Sequence, residues 1–347
     1  MRYAHDTQAP PATEAELDAL LARPTDADVA AAAAWDGDLV VLGAGGKMGP
    51  SLVRLALAAV ERAGAKHRVV AVSRFGDAGV AQGLEAAGAE TVACDLLDER
   101  AVRALPDASN VILMAGQKFG TVDDPATTWS LNALLPAIVA RRYAGSRLVA
   151  FSTGNVYPLT DAAGEGPRES DPTGPVGEYA HSALARERIL TFLSNVQRTP
   201  TAILRLNYAV ELRYGVLRDI ADRLVASAPI DLTMGWVNLI WQRDANAIAL
   251  RALAHCAVPP LVLNVTGPKY SVRELAAGLA ARLDTEPVFR GEEAGTALLS
   301  DASRCAQRFG PPTTSIETML DWVADWVRRG GRSLGRPTHF EERKGRF

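Results

Sequence analysis

From residue 38 to about 205, short runs of aliphatic and β-branched residues alternate with longer stretches whose apolar positions recur every three or four residues. The runs predict strands over 38–42, 68–73, 91–94, 110–114, 147–152 and 201–206, apolar enough to be buried on both faces. The stretches over 50–63, 127–143 and 179–195 predict crossover helices. That rhythm implies an α/β fold, a doubly wound parallel sheet covered by helices. Beyond 206 the pattern loosens into mixed strands and helices, including SVRELAAGLAARL and an amphipathic stretch over 316–327 whose Met319, Leu320, Val323 and Trp326 share a packing face. The expected organisation is an N-terminal helical extension (1–37), a sheet domain (38–205) and a smaller mixed α/β substrate region (206–347). The Gly/Pro-rich segment 162–177 reads as a long surface loop.

Composition narrows the partners. The chain has 347 residues and a formal net charge of -3, so no overall positive field favours nucleic acid. No apolar run reaches the length of a membrane span, and acidic residues interrupt 1–30, where a secretory signal would be apolar. Cys94, Cys256 and Cys305 are odd in number and widely spaced, which suits a reducing cytoplasm and predicts no metal site. Of 37 basic residues only five are lysine, so Lys47 and Lys118 draw notice.

The segment DLVVLGAGGKMGPSLVRLAL runs a buried strand through Gly43, Gly46 and Gly49 into an amphipathic helix. The first glycine suits the tight turn, the second the close approach of a pyrophosphate, the third helix–strand packing, and the helix N-terminus faces the phosphate charge. This is a dinucleotide loop in a Rossmann-like setting, with Lys47 and Met48 inside it. The second strand ends in Ser73 and Arg74 where an acid would bind an adenosine ribose, so NADP is expected over NAD. Asp95 is placed to meet the adenine or to cap the helix that follows.

With these residues in order, the chain resembles the extended short-chain dehydrogenase/reductases, the NAD(P)-dependent epimerase/dehydratase family, over residues 38 to about 260. The resemblance rests on the glycine loop, Asp95–Leu96, Met114–Ala115–Gly116 after the fourth strand, Asn132, and FSTGNVY with Ser152 and Thr153. It implies that the glycine loop, Asp95–Leu96, Met114–Ala115–Gly116 and Asn132 serve the cofactor, that Ser152 and Thr153 belong to the catalytic set with Thr153 holding the substrate oxygen, and that Tyr179 in GEYAHSALARERIL exchanges a proton while hydride moves to or from the nicotinamide. It also implies a homodimer paired through the helices over 127–143 and 179–195.

Two departures qualify the resemblance. Ala183 stands where the family has a lysine that lowers the tyrosine pKa. Moving a phenol from about 10 to neutrality takes roughly 4 kcal/mol, which an alanine cannot supply. Lys118, just beyond the fourth strand, is the candidate substitute; Arg186 lies farther along the helix, and His181 points to another face. Gly154 and Asn155 replace the acids of dehydratases, which makes dehydration the least expected reaction. The reading is an NADP-dependent oxidoreductase or epimerase acting on a sugar-like hydroxyl or carbonyl. The alternative is a cofactor-binding sensor that has lost catalysis. Trp236, Asn238, Trp241 and Gln242 serve either sugar binding or packing, and Arg205 and Asn207 carry no assigned contact.

Overall fold

Seven parallel strands form the central sheet of the computed structural model, which describes residues 9–347. They are β1 (Leu39–Leu42), β2 (Val69–Ser73), β3 (Glu90–Ala93), β4 (Asn110–Leu113), β5 (Arg147–Thr153), β6 (Thr201–Leu206) and β7 (Leu261–Val265). Their spatial order is β7-β6-β5-β4-β1-β2-β3. Leu39 pairs with Val69 on one side and Asn110 on the other, so the winding reverses at β1, and the crevice at its carboxyl end is where such sheets take ligands. All four residues of β1 and of β4 are buried, as strands covered on both faces require.

The sheet does not stop at residue 205. Strand β7 comes from the C-terminal region and pairs with β6 from Leu261↔Ala202 to Val265↔Leu206. Between them lie helices α9 (Val216–Val225) and α10 (Gln242–Ala252), so the later region builds both the sheet edge and a separate core.

Thirteen α-helices cover the described residues. Those used below are α1 (Glu14–Leu21), α2 (Asp26–Ala33), α3 (Gly49–Arg62), α5 (Glu99–Arg103), α6 (Pro125–Trp129), α7 (Leu135–Arg142), α8 (Gly177–Gln197), α9 (Val216–Val225), α10 (Gln242–Ala252), α11 (Val272–Leu283) and α13 (Ile316–Arg328). Of the N-terminal extension, residues 1–8 lie outside the described residues. Its helix α1 buries Leu17, Leu20 and Leu21 in the C-terminal core, while Ala32 and Trp35 pack on the sheet, so the extension ties the two together.

The stretch over 127–143 is not one regular helix. A π-helical turn, Ser130–Leu134, joins α6 to α7. Pro136 has no amide to offer the Asn132 carbonyl four residues earlier, and the buried Arg186 of α8 donates to that oxygen instead, Nε to O 3.1 Å.

After α13 the chain forms a strap back across α9. Thr338 donates its amide to Asp219 at 2.8 Å, and Phe340 is buried in the C-terminal core. Gly345 lies against Gly177, so closely that a Cβ on either would overlap the other's backbone neighbourhood. The strap ends at Thr121, whose amide and hydroxyl both donate to the Phe347 oxygen.

Candidate active site

The glycine loop divides into structural and open positions. Gly43 has φ +91, and a Cβ there would lie 2.6 Å from the Ala115 amide nitrogen. A Cβ on Gly49 would overlap the Ala44 carbonyl. Gly46 meets only the Gly43 oxygen of its own turn, at 3.3 Å, and is exposed, so this position leaves the backbone open to a phosphate. Ser73 packs beneath the loop, its Oγ 2.6 Å from where a Gly45 Cβ would be. Arg74 is exposed and has no hydrogen-bond or ion-pair partner among the described residues, which leaves its guanidinium available to a 2′-phosphate. The residues present therefore fit a dinucleotide at its adenosine and pyrophosphate end.

Three expected cofactor positions have other roles in the fold. Asp95 accepts from the Leu97 amide in a local turn, and Asp98 caps α5 instead, because only Asp98 immediately precedes that helix. Leu96 is buried in the core. The amide side chain of Asn132 is fully engaged with protein: its oxygen accepts from the Gln117 amide and Arg186, and its nitrogen donates to the Gln117 carbonyl and Ser182. It fixes the turn after β4 rather than facing the crevice. Met114 and Ala115 are half-buried beside the loop, and the space a Gly116 side chain would fill holds the Arg186 guanidinium.

At the carboxyl ends of β5 and β6 lies a cavity of about 140 Å³. Tyr179, Thr153, Ser152, Met48, Lys47 and Lys118 all line it, so residues separated by more than a hundred positions converge. Tyr179 sits in the first turn of α8 and shares the cavity wall with Thr153. Burial pushes the Tyr179 phenol up, while Thr153 and the positive charge of Arg186 pull it down without reversing the shift. The Thr153 oxygen accepts from both the backbone and side-chain nitrogens of Asn155, at 3.2 and 3.0 Å. Asn155 thus holds the Thr153 hydroxyl from its acceptor side and leaves the hydroxyl proton to be offered elsewhere.

The lysines are not ordinary surface lysines. Lys118 Nζ donates to the Thr338 carbonyl at 3.2 Å and lies 4.6 Å from the Phe347 ring centroid. Lys47 Nζ donates to the Ala209 carbonyl at 2.9 Å and lies 3.7 Å above the Tyr214 ring. Burial lowers Lys47 to about 7 and Lys118 to about 8. Neither has a carboxylate within salt-bridge distance among the described residues.

Ser152 lines the cavity, but its hydroxyl donates to Glu187 at 2.6 Å and is therefore a prop rather than a free reactive group. Glu187 is clamped by Arg205, Nη2 to Oε2 2.7 Å, and Arg205 reaches Tyr157 at 2.6 Å. This buried pair fixes α8 to β5 and β6. Ala183 packs with Val156, Tyr157 and Leu184 in an apolar cluster. His181 turns its ring back to the Gly177 carbonyl.

The segment around residue 240 is packing. Trp241 is buried against Trp322, Gln242 donates to Ser51, Asn238 bridges the Gly267 carbonyl and the Ser300 amide, and Trp236 lies under Lys269 Nζ at 5.0 Å; none of the four lines the cavity. Sequence reasoning missed Asn155, Tyr208, Tyr214 and Thr338 as cavity residues and left Asn207 unassigned. The one local signal was Gly154: a Cβ there would overlap the Asn207 side chain, so the glycine makes room for it. Phe347, whose ring meets Tyr179 edge-on at 5.7 Å, had no signal.

Among proteins of curated function, none matches in sequence. Solved structures match well: UDP-glucose 4-epimerase from Thermotoga maritima with UDP-glucose has TM-score 0.69 at 18% identity, covering 84% of this chain and 99% of that one. UDP-glucuronic acid 4-epimerase from Bacillus cereus with NAD has TM-score 0.70 at 17% identity over 84% and 97%. UDP-glucose 4-epimerase from Thermus thermophilus with NAD has 0.68 at 20% over 84% and 99%. These likenesses show the fold. The sequence model of the NAD dependent epimerase/dehydratase family matches residues 39–214, half of the chain, and the chain belongs to that family.

Proposed function

We propose that the protein is an NADP-dependent oxidoreductase or epimerase acting on a hydroxyl or carbonyl of a sugar-like metabolite. The observation that carries this reading is the Asn155–Thr153–Tyr179 chain opening onto a cavity at the carboxyl edge of the sheet. Family membership and the open glycine loop support a nicotinamide cofactor, which when bound supplies the hydride chemistry. The similar structures carry NAD, whereas the unpartnered Arg74 at the end of β2 supports NADP here. The glycine loop and β2 would hold the adenosine and phosphates, with Met48 and Met114 toward the nicotinamide.

Tyr179 moves the proton. Its raised pKa keeps it a phenol at neutral pH, suited to protonating a carbonyl oxygen as hydride arrives. Thr153 orients the phenol, Asn155 orients Thr153, and Arg186 and Lys118 supply positive charge in place of the absent lysine at Ala183. Gly154 and Asn155 leave no acid to expel a hydroxyl, so dehydration is not proposed.

The division into 1–37, 38–205 and 206–347 is proposed as extension, cofactor region and substrate region. A reducing cytoplasm is proposed from three separated free cysteines. A homodimer is proposed because Trp129, Leu134, Phe192 and Val196 expose apolar side chains along the π turn and α8.

A second reading, the cofactor-binding sensor, is favoured by the Phe347 ring against Tyr179. A single-turnover absorbance assay at the nicotinamide band separates the two, using stoichiometric NADP and a panel of sugars, sugar acids and lactones. The enzymatic reading expects a signal that Tyr179→Phe reduces by about a hundredfold or more. Bound NADP with silence across the panel would favour the sensor.

A further inference from the structure

The cavity holds an unbalanced set of polar groups. Among the described residues, its charged lining comes from Lys47 and Lys118 alone, which approach it from the glycine loop and from the turn after β4. Each ammonium has a backbone carbonyl and an aromatic face for company, and the two are near enough to repel. No acid pairs with them directly: Glu211 accepts from Arg213, Glu341 pairs with Arg223, and Asp219, held by the neutral Thr338, offsets them only from a distance. Two cations withdrawn from water with no paired carboxylate are costly, and a ligand anion between them reduces that cost.

Asn207 supplies an independent observation. It is 3% exposed and lines the cavity, yet both its side-chain oxygen and nitrogen lack a protein partner. A buried amide with a free donor and a free acceptor is an unfilled hydrogen-bond site. It suits a hydroxyl, which can donate and accept at once. Shape sets the third condition. The cavity is small, about 140 Å³, and open on one side, so it takes the reacting end of a ligand rather than the whole of a nucleotide-linked sugar. Tyr208, Thr338 and Leu298 wall the remaining sides.

We propose that this site takes a hydroxy or keto carboxylate, its carboxylate between Lys47 and Lys118 and a neighbouring hydroxyl on Asn207. This rests on the hydride-transfer reading for the reaction, and it narrows the substrate from sugar-like to sugar-acid-like.

The test is calorimetric titration of the full chain, saturated with NADP, using D-gluconate and D-glucitol, a matched six-carbon pair with and without the carboxylate. Gluconate is expected to bind at least tenfold more tightly, to weaken as NaCl is raised, and to lose that advantage in Lys47→Gln and in Lys118→Gln. Removing an uncompensated cation should leave the melting temperature unchanged or raise it, which a merely structural lysine would not do. Should a variant fail to fold, the salt dependence of the unaltered protein still decides. Equal binding of the pair, no binding of either, or tighter binding of UDP-glucose would overturn the proposal. So would displacement of gluconate by an equal concentration of inorganic phosphate, or gluconate binding that occurs only without NADP, which would assign the lysines to a phosphate group. A separate NADPH fluorescence titration reports on the cofactor reading alone: absence of NADPH binding removes the proposed reaction, whereas NADPH binding with a neutral-sugar preference removes only the carboxylate.

Discussion

At the glycine loop, the expected ligand contacts come from Gly43 to Gly49 and from Ser73 and Arg74, a strand away; at the cavity, they come from residue 47 to residue 338. The first region is made by local geometry, and its steric demands are met by protein packing: Ala115 against Gly43, Ala44 against Gly49. The second is made by tertiary convergence and keeps groups that the protein satisfies only in part, namely two lysines with no paired carboxylate and an asparagine amide without a partner. A shared cofactor can be bound by a contiguous motif. A particular substrate calls for side chains that only the finished fold brings together.

The sharpest way to break this contrast is to titrate it. Burial lowers Lys47 to about 7 and Lys118 to about 8 from an ordinary 10.5. Between pH 7 and 8.5 the unfolded chain therefore binds more protons than the native one, and stability rises with pH, by up to about 2 kcal/mol for one fully shifted group. Toward pH 10 the trend reverses, because burial holds up the Cys256 and Cys305 thiols and the Tyr143, Tyr208 and Tyr214 phenols. Denaturant melts across this range are expected to show the rise, and Lys47→Gln to flatten it. A flat profile in the unaltered protein would mean that the cavity cations are as well solvated as surface ones.

A smaller effect tests the other region. NADPH is expected to bind at least tenfold more tightly than NADH, about 1.4 kcal/mol, and Arg74→Ala to erase the difference. Equal affinities before substitution would dismiss the role given to Arg74. The smallest effect on chemistry lies on the outer flank of α8, which carries Tyr179 at its start and Phe192 and Val196 on its exposed side. Phe192→Glu is expected to halve the mass seen by light scattering while activity changes by no more than about twofold. A monomer before substitution would exclude the dimer.

Much of the fold was legible in the sequence because β1 to β6 and their crossover helices announce themselves by period. Strand β7 was not, since 261–265 is a short apolar run among many, and only its pairing with β6 makes it part of the sheet. The π turn was hidden because Pro136 hints at a break but does not reveal that Arg186 takes over the orphaned carbonyl. At the site, Tyr179 and Thr153 were found through ordered motifs, and Lys118 through its place after β4. Asn207 and Thr338 were beyond reach, one obscured by a departure from pattern and the other far along the chain. Trp241 and Gln242 show the converse: the same residue types that stack on a sugar also fill a core, and composition cannot tell which.

The close fit of Gly154 beneath Asn207 bears on what this chain can become. An acid at 154 would have to evict the Asn207 amide, and the two positions lie on different strand ends, 53 residues apart. A side chain at 154 is therefore expected to cost stability unless residue 207 changes with it, which couples the ends of β5 and β6 into one unit of substitution.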